Sequence, residues 1–560
     1  MKKLKYIVCG LCLTTGLTGC DDFLEILPMN EVVLENYWTE KQDVTSVVNS
    51  CYETMESADF LNRMGVWGEL RSENLRMGSN VPNEINDILK ENLLPTNPYC
   101  NWSVFYKAIN YCNTVCHYAP EVQRIDPNYT EAEMRANIAE VTALRSLCYF
   151  YLARTFRDVP YTTRPSIDDT ESFAIPTIPF EEMLDTLITD LERVKDDAVR
   201  RYYTDDSPNQ YYNSSRVTRQ LVYALLADLY LWKGDWDNSV KYCDLVLDFK
   251  RQQYEEMLAR EGNDVSIYIE LFDDIPMILS KPQGQDLGGY AYTDIFGAGN
   301  SFESIFELYF ESNQDQKNTW VNDFYGSSSN NYRGRLSAPD FLRKEVIEGT
   351  NTVFSKTDGR AFENVRVEGA TYAVSKFVYQ SIAYNTKSVT SESTLDWAAV
   401  THSSAKSAHW MFYRLTDVML IKAEALIMRG GSEEDRLAAF ELINSVNKRA
   451  NCGATPLGDA SKYTTKASME ELLMAERHRE FMFEGKRWFD LVRIARRDGN
   501  NRRLVEYASR KYIENINAIK IKLADPNIIY FPYAKSELKV NPYLKQNPAY
   551  GKDENTELTN

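Results

Sequence analysis

Apolar residues recur at three- and four-residue spacing through several long stretches of the chain, the period of a helix with one buried face. Over 131–156 that face reads Ile138, Val141, Leu144, Leu147, Cys148, Tyr151 and Leu152, and Asp158-Val159-Pro160 ends it. Met183, Leu184, Leu187, Ile188 and Leu191 repeat the pattern over 180–197. The stretch 216–249 predicts two helices broken at Gly234-Asp235, and 411–450 predicts two more broken at Gly430-Gly431. A single further helix is predicted from Ser468 to Arg496, with Asp498-Gly499 beyond it. Between 251 and 410 the helical signal fades, and Gly, Ser, Asn, Asp and aromatic residues dominate, as over 284–300 and 320–335. That composition predicts loops with short strands and short helices. A second loop-rich insertion is predicted near 75–103, and Ile528-Ile529-Tyr530-Phe531-Pro532 reads as a short extended piece ahead of a polar tail.

The helices predicted in 216–249 fit a repeat template. Tyr223, Leu226, Ala227 and Tyr230 on the first, Gly234 and Trp236 at the turn, and Ser239, Cys243 and Val246 on the second occupy the positions of a tetratricopeptide hairpin. The usual terminal proline is missing, since position 251 is arginine. The stretches 131–154 and 411–450 are looser versions of the same unit. The expected fold class is therefore mainly α, a tetratricopeptide-like helix-hairpin scaffold carrying a long loop-rich insertion. The expected organisation is an N-terminal helical scaffold over 20–250 that includes the insertion near 75–103, a loop-rich region over 251–410, and a C-terminal helical part with a polar tail over 411–560.

The first residues are read as a targeting segment. Lys2, Lys3 and Lys5 precede the apolar run from Tyr6 to Thr18, which is too short to span a bilayer. It ends in Leu17-Thr18-Gly19-Cys20, which resembles the bacterial lipobox. The resemblance implies a signal peptide over 1–19 and a lipid-modified Cys20 that anchors the chain in outer-membrane lipid. Each buried acyl methylene contributes roughly 0.8 kcal/mol to such an anchor. Asp21 and Asp22 are similar to the acidic surface-export signal of Bacteroidetes lipoproteins. A formal net charge of −18 repels nucleic-acid phosphates and argues against nucleic acid as a partner. Beyond Cys9, Cys12 and Cys20 the chain holds seven scattered cysteines, an odd number that argues against a complete disulfide framework. Cys112, Cys116 and His117 supply too few ligands for zinc, and no metal or cofactor is assigned.

Catalysis finds little support. The four histidines, His117, His402, His409 and His478, have no nucleophile context, and no G-x-S-x-G elbow or phosphate-cradling glycine loop occurs. The stretch 476–493 is dense in Glu and Arg, and its Glu476, Arg479, Glu480 and Arg487 fall at helical spacings. They read as partners that fix neighbouring helix ends, not as a glycosidase pair. Arg145 with Asp158 and Arg414 with Asp417 read the same way. The 36 Tyr and 9 Trp of this acidic chain suit carbohydrate binding, because the C–H face of a sugar stacks on an exposed ring. The candidates are loop-borne. Trp67, Arg71, Asn74, Tyr99 and Trp102 belong to the first insertion, although Trp102 with Phe105, Tyr106 and Ile109 also reads as a buried helix face. Tyr290, Tyr292, Trp320, Asn322, Tyr325 and Asn330 belong to the second, with Trp320 and Tyr325 in the lead.

Six landmarks follow one another in the order found in one family. Phe23-Leu24-Glu25 with Pro28 forms the opening, and Tyr37-Trp38 follows. Ala139-Glu140 through Leu144-Arg145 leads to Tyr149-Phe150 and Asp158-Val159-Pro160, with Arg157 where glycine is usual. Glu303-Ser304-Ile305-Phe306-Glu307 is similar to a family strand, and Arg414-Leu415-Thr416-Asp417 with Ala423-Glu424-Ala425 to a family helix. Then come Glu476-Arg477-x-Arg479-Glu480-Phe481 through Arg493, and Asn541-Pro542 with Gln546-Asn547-Pro548. Together they resemble the SusD/RagB family of Bacteroidetes surface lipoproteins. The resemblance implies a non-catalytic protein that binds a nutrient glycan and delivers it to a TonB-dependent outer-membrane transporter. Alternatives are peptide or glycopeptide cargo in the same kind of complex, a surface glycosidase, or a purely structural subunit. The family's contact positions do not transfer residue by residue.

Overall fold

The computed structural model describes residues 37–551 apart from 168–173, 205–206, 208, 312–316, 327–332, 343–352, 369–370, 386–396 and 403–406. The expected signal segment, Cys20, Asn330 and the last nine positions lie outside the described residues.

Paired helices build the scaffold. In the N-terminal part they are α1 (Lys41–Met55), α2 (Ala58–Gly65), α3 (Ser103–Ile125), α4 (Glu131–Phe156), α5 (Phe180–Val194), α6 (Arg219–Lys233) and α7 (Trp236–Glu261). In the C-terminal part they are α8 (Leu415–Arg429), α9 (Glu433–Ala450), α10 (Lys466–Phe481) and α11 (Arg487–Asp498). α3 packs on α1 and α4, α4 on α5, α6 on α7, α7 on α8, and α8 on α9 and α10. Local chemistry sets the ends. Thr130 and Glu133 exchange side-chain to backbone hydrogen bonds at the start of α4, satisfying two orphan amides. Gly234 closes α6 in the left-handed region at φ +82°, and the Asp235 carboxylate then accepts from the Asn238 amide at 3.2 Å. Small residues let this pair approach, and the Ser239 hydroxyl donates to the Ala227 carbonyl at 2.9 Å. Among the described residues no helix is long and apolar enough to cross a membrane.

Three expectations are corrected. The stretch 411–450 does not begin helical. Trp410–Arg414 is a strand, paired antiparallel with Ser304–Leu308, the strand expected at Glu303–Glu307. The helix expected from Ser468 to Arg496 is two helices, because Phe483 and Gly485 take φ of +67° and +69° and turn the chain between α10 and α11. Ile528–Phe531 forms a buried turn and not an extended piece; the Phe531 amide donates to the Thr155 carbonyl at 2.8 Å, covering the end of α4.

Candidate functional site

The two loop-rich insertions meet. Arg76–Met77 of the first pairs antiparallel with Leu336–Ser337 of the second, and the Gly78 amide donates to the Arg335 carbonyl at 2.9 Å. The Asp323 carbonyl accepts the Arg335 amide at 3.2 Å beside half-buried Asn322, the charge of exposed Arg335 reaches half-buried Tyr99, and Met77 of the strand pair is exposed. Asn97 begins the short turn before Tyr99; its side-chain carbonyl accepts the Tyr99 amide at 3.0 Å, and its amide donates to the Glu84 carbonyl at 2.8 Å. Burial, helped by the nearby Glu84 carboxylate, pushes the Tyr99 hydroxyl up to about 12 against the pull of Arg63 and Arg335. The Asn322 amide nitrogen donates to the Asp323 carboxylate at 2.7 Å, and its enclosed carbonyl oxygen has no donor. The seam thus offers a partly exposed ring beside amides, carboxylates and a guanidinium, the groups that hold a sugar face and its hydroxyls.

The leading ring candidates are not exposed. Trp320, Tyr325 and Trp67 are each 0% exposed, as is Asn74, and Arg71 and Tyr292 are 1% exposed. The reason is the direction of their turns. Trp320 lies against Gly65 of α2, where an added Cβ would come within 2.2 Å of the indole, and it stacks on Phe324 at 4.6 Å. The Tyr325 hydroxyl donates to the Phe483 carbonyl at 3.0 Å. The Trp67 indole donates to the Tyr99 carbonyl at 2.9 Å. Arg71 pairs with buried Glu91 at 2.6 Å and lies 4.3 Å over the Trp488 ring. Asn74 donates to Glu69 at 2.7 Å and meets the His478 ring nitrogen at 2.6 Å. The Tyr292 hydroxyl donates to the carbonyls of Ser375 and Tyr379 at 3.0 and 3.2 Å. Of these side chains, Trp67 reaches the seam, through the Tyr99 carbonyl. Of the other candidates, Tyr290 stacks on Tyr268 at 5.0 Å, and Tyr268 is 40% exposed. Sequence reasoning passed over Tyr268 and Arg335; a tyrosine and an arginine on loops were the available signals. Trp102 is 4% exposed, as the helix-face reading has it, and it also lines a cleft of about 770 Å³ with Tyr106, Tyr161, Arg164, Glu537 and Asn541.

The Glu- and Arg-rich stretch forms a buried ionic hub. Glu480 accepts from Arg414 and Arg449 at 2.6 Å and from Arg360 at 2.8 Å. Glu484 pairs with Lys376 at 2.6 Å and Arg414 at 2.7 Å. Arg487 pairs with Glu73 at 2.7 Å, Arg477 with Asp490 at 2.8 Å and Arg493 with Glu424 at 2.6 Å. Burial alone would push Glu480 up, but its three guanidinium partners hold it well below the usual carboxylate range. A glycosidase acid needs a raised carboxyl facing substrate. The carboxylates here are ionised, enclosed and paired.

Fold and seam define a class: helix hairpins pinned by a buried ionic hub, with a loop-built surface where two insertions join. Sequence comparison assigns the class. The model of the SusD family matches residues 302–550, and a second one, described as starch-binding and associating with the outer membrane, matches residues 22–231. The chain belongs to the SusD family. Among curated proteins, SusD-like protein P38 of Formosa agariphila is 22% identical over 98% of this chain and 100% of its own length. A SusD superfamily crystal structure from Bacteroides thetaiotaomicron shares the fold with a TM-score of 0.64 at 19% identity, covering 92% of this chain and 99% of that one. A laminarin-binding SusD-like protein shares it with a TM-score of 0.62 at 19% identity, covering 91% of this chain and all of that one.

Proposed function

We propose that this protein is a non-catalytic, lipid-anchored surface protein that binds a nutrient glycan and delivers it to a TonB-dependent outer-membrane transporter. Family membership carries the reading, supported by the starch-binding description of the N-terminal match and by the laminarin-binding relative in fold. Acylated Cys20 is the anchor. Tyr99 and Asn322 are the seam groups that contact cargo, with Tyr290 beside Tyr268 as a second ring pair. The paired state of the Glu476–Arg493 carboxylates supports binding without cleavage. Affinity electrophoresis through gels containing different polysaccharides tests this. Retardation by at least one polysaccharide, with no new reducing ends, is the expected result. Release of oligosaccharide by the pure protein would replace the reading with an enzyme. Retention of peptides alone would replace glycan with peptide cargo.

A further inference from the structure

A second cleft lies away from the groups described above. It has a volume of about 270 Å³ and opens between the C-terminal half of α7, residues 200–201 and 210–214, and the turn at 300–304. At the ~30 Å³ that a water occupies in the liquid, it holds roughly nine waters, the scale of one pyranose ring with its hydroxyls.

Its charge opposes that of the molecule. Among the described residues that line it, Arg200, Arg201, Lys250 and Arg260 stand against one carboxylate, Glu261, which pairs with Arg260 at 2.5 Å, in a chain of formal net charge −18. Arg200 donates to the neutral amide of Gln252 at 2.5 Å and lies 5.1 Å over the Phe249 ring, so these partners do not neutralise it. Arg201 pairs at 3.0 Å with Glu256, whose side chain is 53% exposed. A pair so exposed contributes little and exchanges readily for a ligand anion. Lys250 is 2% exposed, and its ammonium donates to the carbonyls of Phe302 and Ser304 at 2.5 and 3.1 Å. That fixes a positive charge in the cleft wall.

A second observation is independent of charge. Gln220 also lines the cleft and is only 8% exposed, yet its side-chain carbonyl oxygen meets no hydrogen-bond donor. A buried acceptor left in this state costs about 1–3 kcal/mol. A ligand hydroxyl is the group that relieves it.

We propose that this cleft is a subsite for one anionic sugar residue, with its carboxylate or sulfate facing Arg200 and Arg201 and a hydroxyl donating to Gln220. The proposal rests on the glycan-binding reading and adds the ligand's charge. Calorimetric titration of the purified protein with oligogalacturonate, carrageenan oligosaccharide and neutral laminari- and malto-oligosaccharides, at low and high salt, tests it. At least one anionic ligand should bind more tightly than the neutral ligands of equal length, and its affinity should fall with salt. Arg200→Gln should weaken that binding about ten-fold, the effect of one lost charge-assisted contact. Gln220→Leu should weaken it as well, with Tm unchanged or raised because the orphaned acceptor is gone. Which anionic ligand responds distinguishes carboxylate from sulfate. Neutral ligands binding as tightly as both anionic ones, or Arg200→Gln and Arg201→Gln leaving the anionic affinity unchanged, overturns the subsite while leaving the glycan reading intact. Binding of no saccharide at all overturns both.

Discussion

Glu69 ties the turn between α10 and α11 through that turn's backbone amides. It is fully buried on the helical turn Val66–Leu70, more than four hundred residues earlier in the chain. One carboxylate oxygen accepts the Phe483 amide at 3.0 Å and the Asn74 side-chain amide at 2.7 Å, and the other accepts the Gly485 amide at 3.0 Å. Both backbone donors lie at the left-handed turn that splits the two helices, where no helical carbonyl reaches them. Glu69→Ala strands the two amides at roughly 1–3 kcal/mol each, or about 2–6 kcal/mol together. Glu69→Gln keeps one acceptor and strands one donor, for about half that. A chain this long need not unfold in two states, so the sharper assay is local hydrogen exchange. Opening free energies convert at about 1.4 kcal/mol per decade, so the Phe483 and Gly485 amides should exchange roughly one to four decades faster in Glu69→Ala. pH gives a second handle. Burial pushes the Glu69 carboxyl up to about 7, against the pull of its hydrogen bonds. A raised carboxyl stabilises the fold below its unfolded value, and that stabilisation is lost as pH rises through about 7. Glutamine does not titrate, so the penalty of Glu69→Gln should be larger near about pH 5 than near about pH 8. Parent-like exchange of both amides in Glu69→Ala would refute the reasoning.

Tyr99→Ala should weaken retention in polysaccharide gels with Tm almost unchanged. Trp320→Ala should instead lower stability by about 3–5 kcal/mol through a core cavity while the folded fraction still binds, so Tm and gel retention read side by side separate ligand contact from support. Acid should unfold the hub: burial pushes Glu73, Glu484 and Asp490 up, but Arg487, Arg414 and Arg477 prevail and hold them at about 2. Their stabilisation is complete above the unfolded carboxylate range and lost as pH falls from about 4 toward 2, so a Tm series should drop steeply there; a flat series would contradict the pairing. Cys20→Ala should abolish the acyl mass on the mature chain and release it from the membrane fraction, and an unchanged membrane yield would remove the lipid anchor from the proposed function.

Much of the scaffold was legible because helical periodicity is local. The apolar face of 131–156 and the glycine after Lys233 place α4 and the α6–α7 turn without tertiary information. The break between α10 and α11 was not legible from periodicity, since apolar spacing runs straight through it. Its signal was Gly485, whose left-handed φ ends a helix cheaply only where no side chain is needed. The buried rings were misplaced for a different reason. Loop composition around Trp320 and Trp67 suggests exposure, but both sit on single helical turns that face inward, and Gly65 leaves the hole that the Trp320 indole fills. The seam was out of reach altogether. Residues 76–77 pair with 336–337, and nothing in either two-residue strand specifies so distant a partner.

The hub explains how a loop-rich region holds a defined surface. The three arginines on Glu480 come from separate places: Arg360 from the loop-rich region, Arg414 from the end of a strand and Arg449 from α9. Desolvating so many charges consumes most of the Coulombic gain, so the network is a poor source of net stability. Its effect is on geometry. Each guanidinium accepts few arrangements around a shared carboxylate, and any shift leaves a buried charge without its partner. Glu476, Glu480 and Glu484 follow at four-residue spacing along α10 and its turn, so one ridge fixes the loop-rich region, the strand pair and α9 against a common line. At the far end of that ridge the Phe483–Gly485 turn is tied to Glu69 on the Val66–Leu70 turn, where Trp67 holds the Tyr99 carbonyl. The chain of contacts from Glu480 to Tyr99 thus passes only through buried, hydrogen-bonded groups. The ring at the seam is placed by charges it never touches.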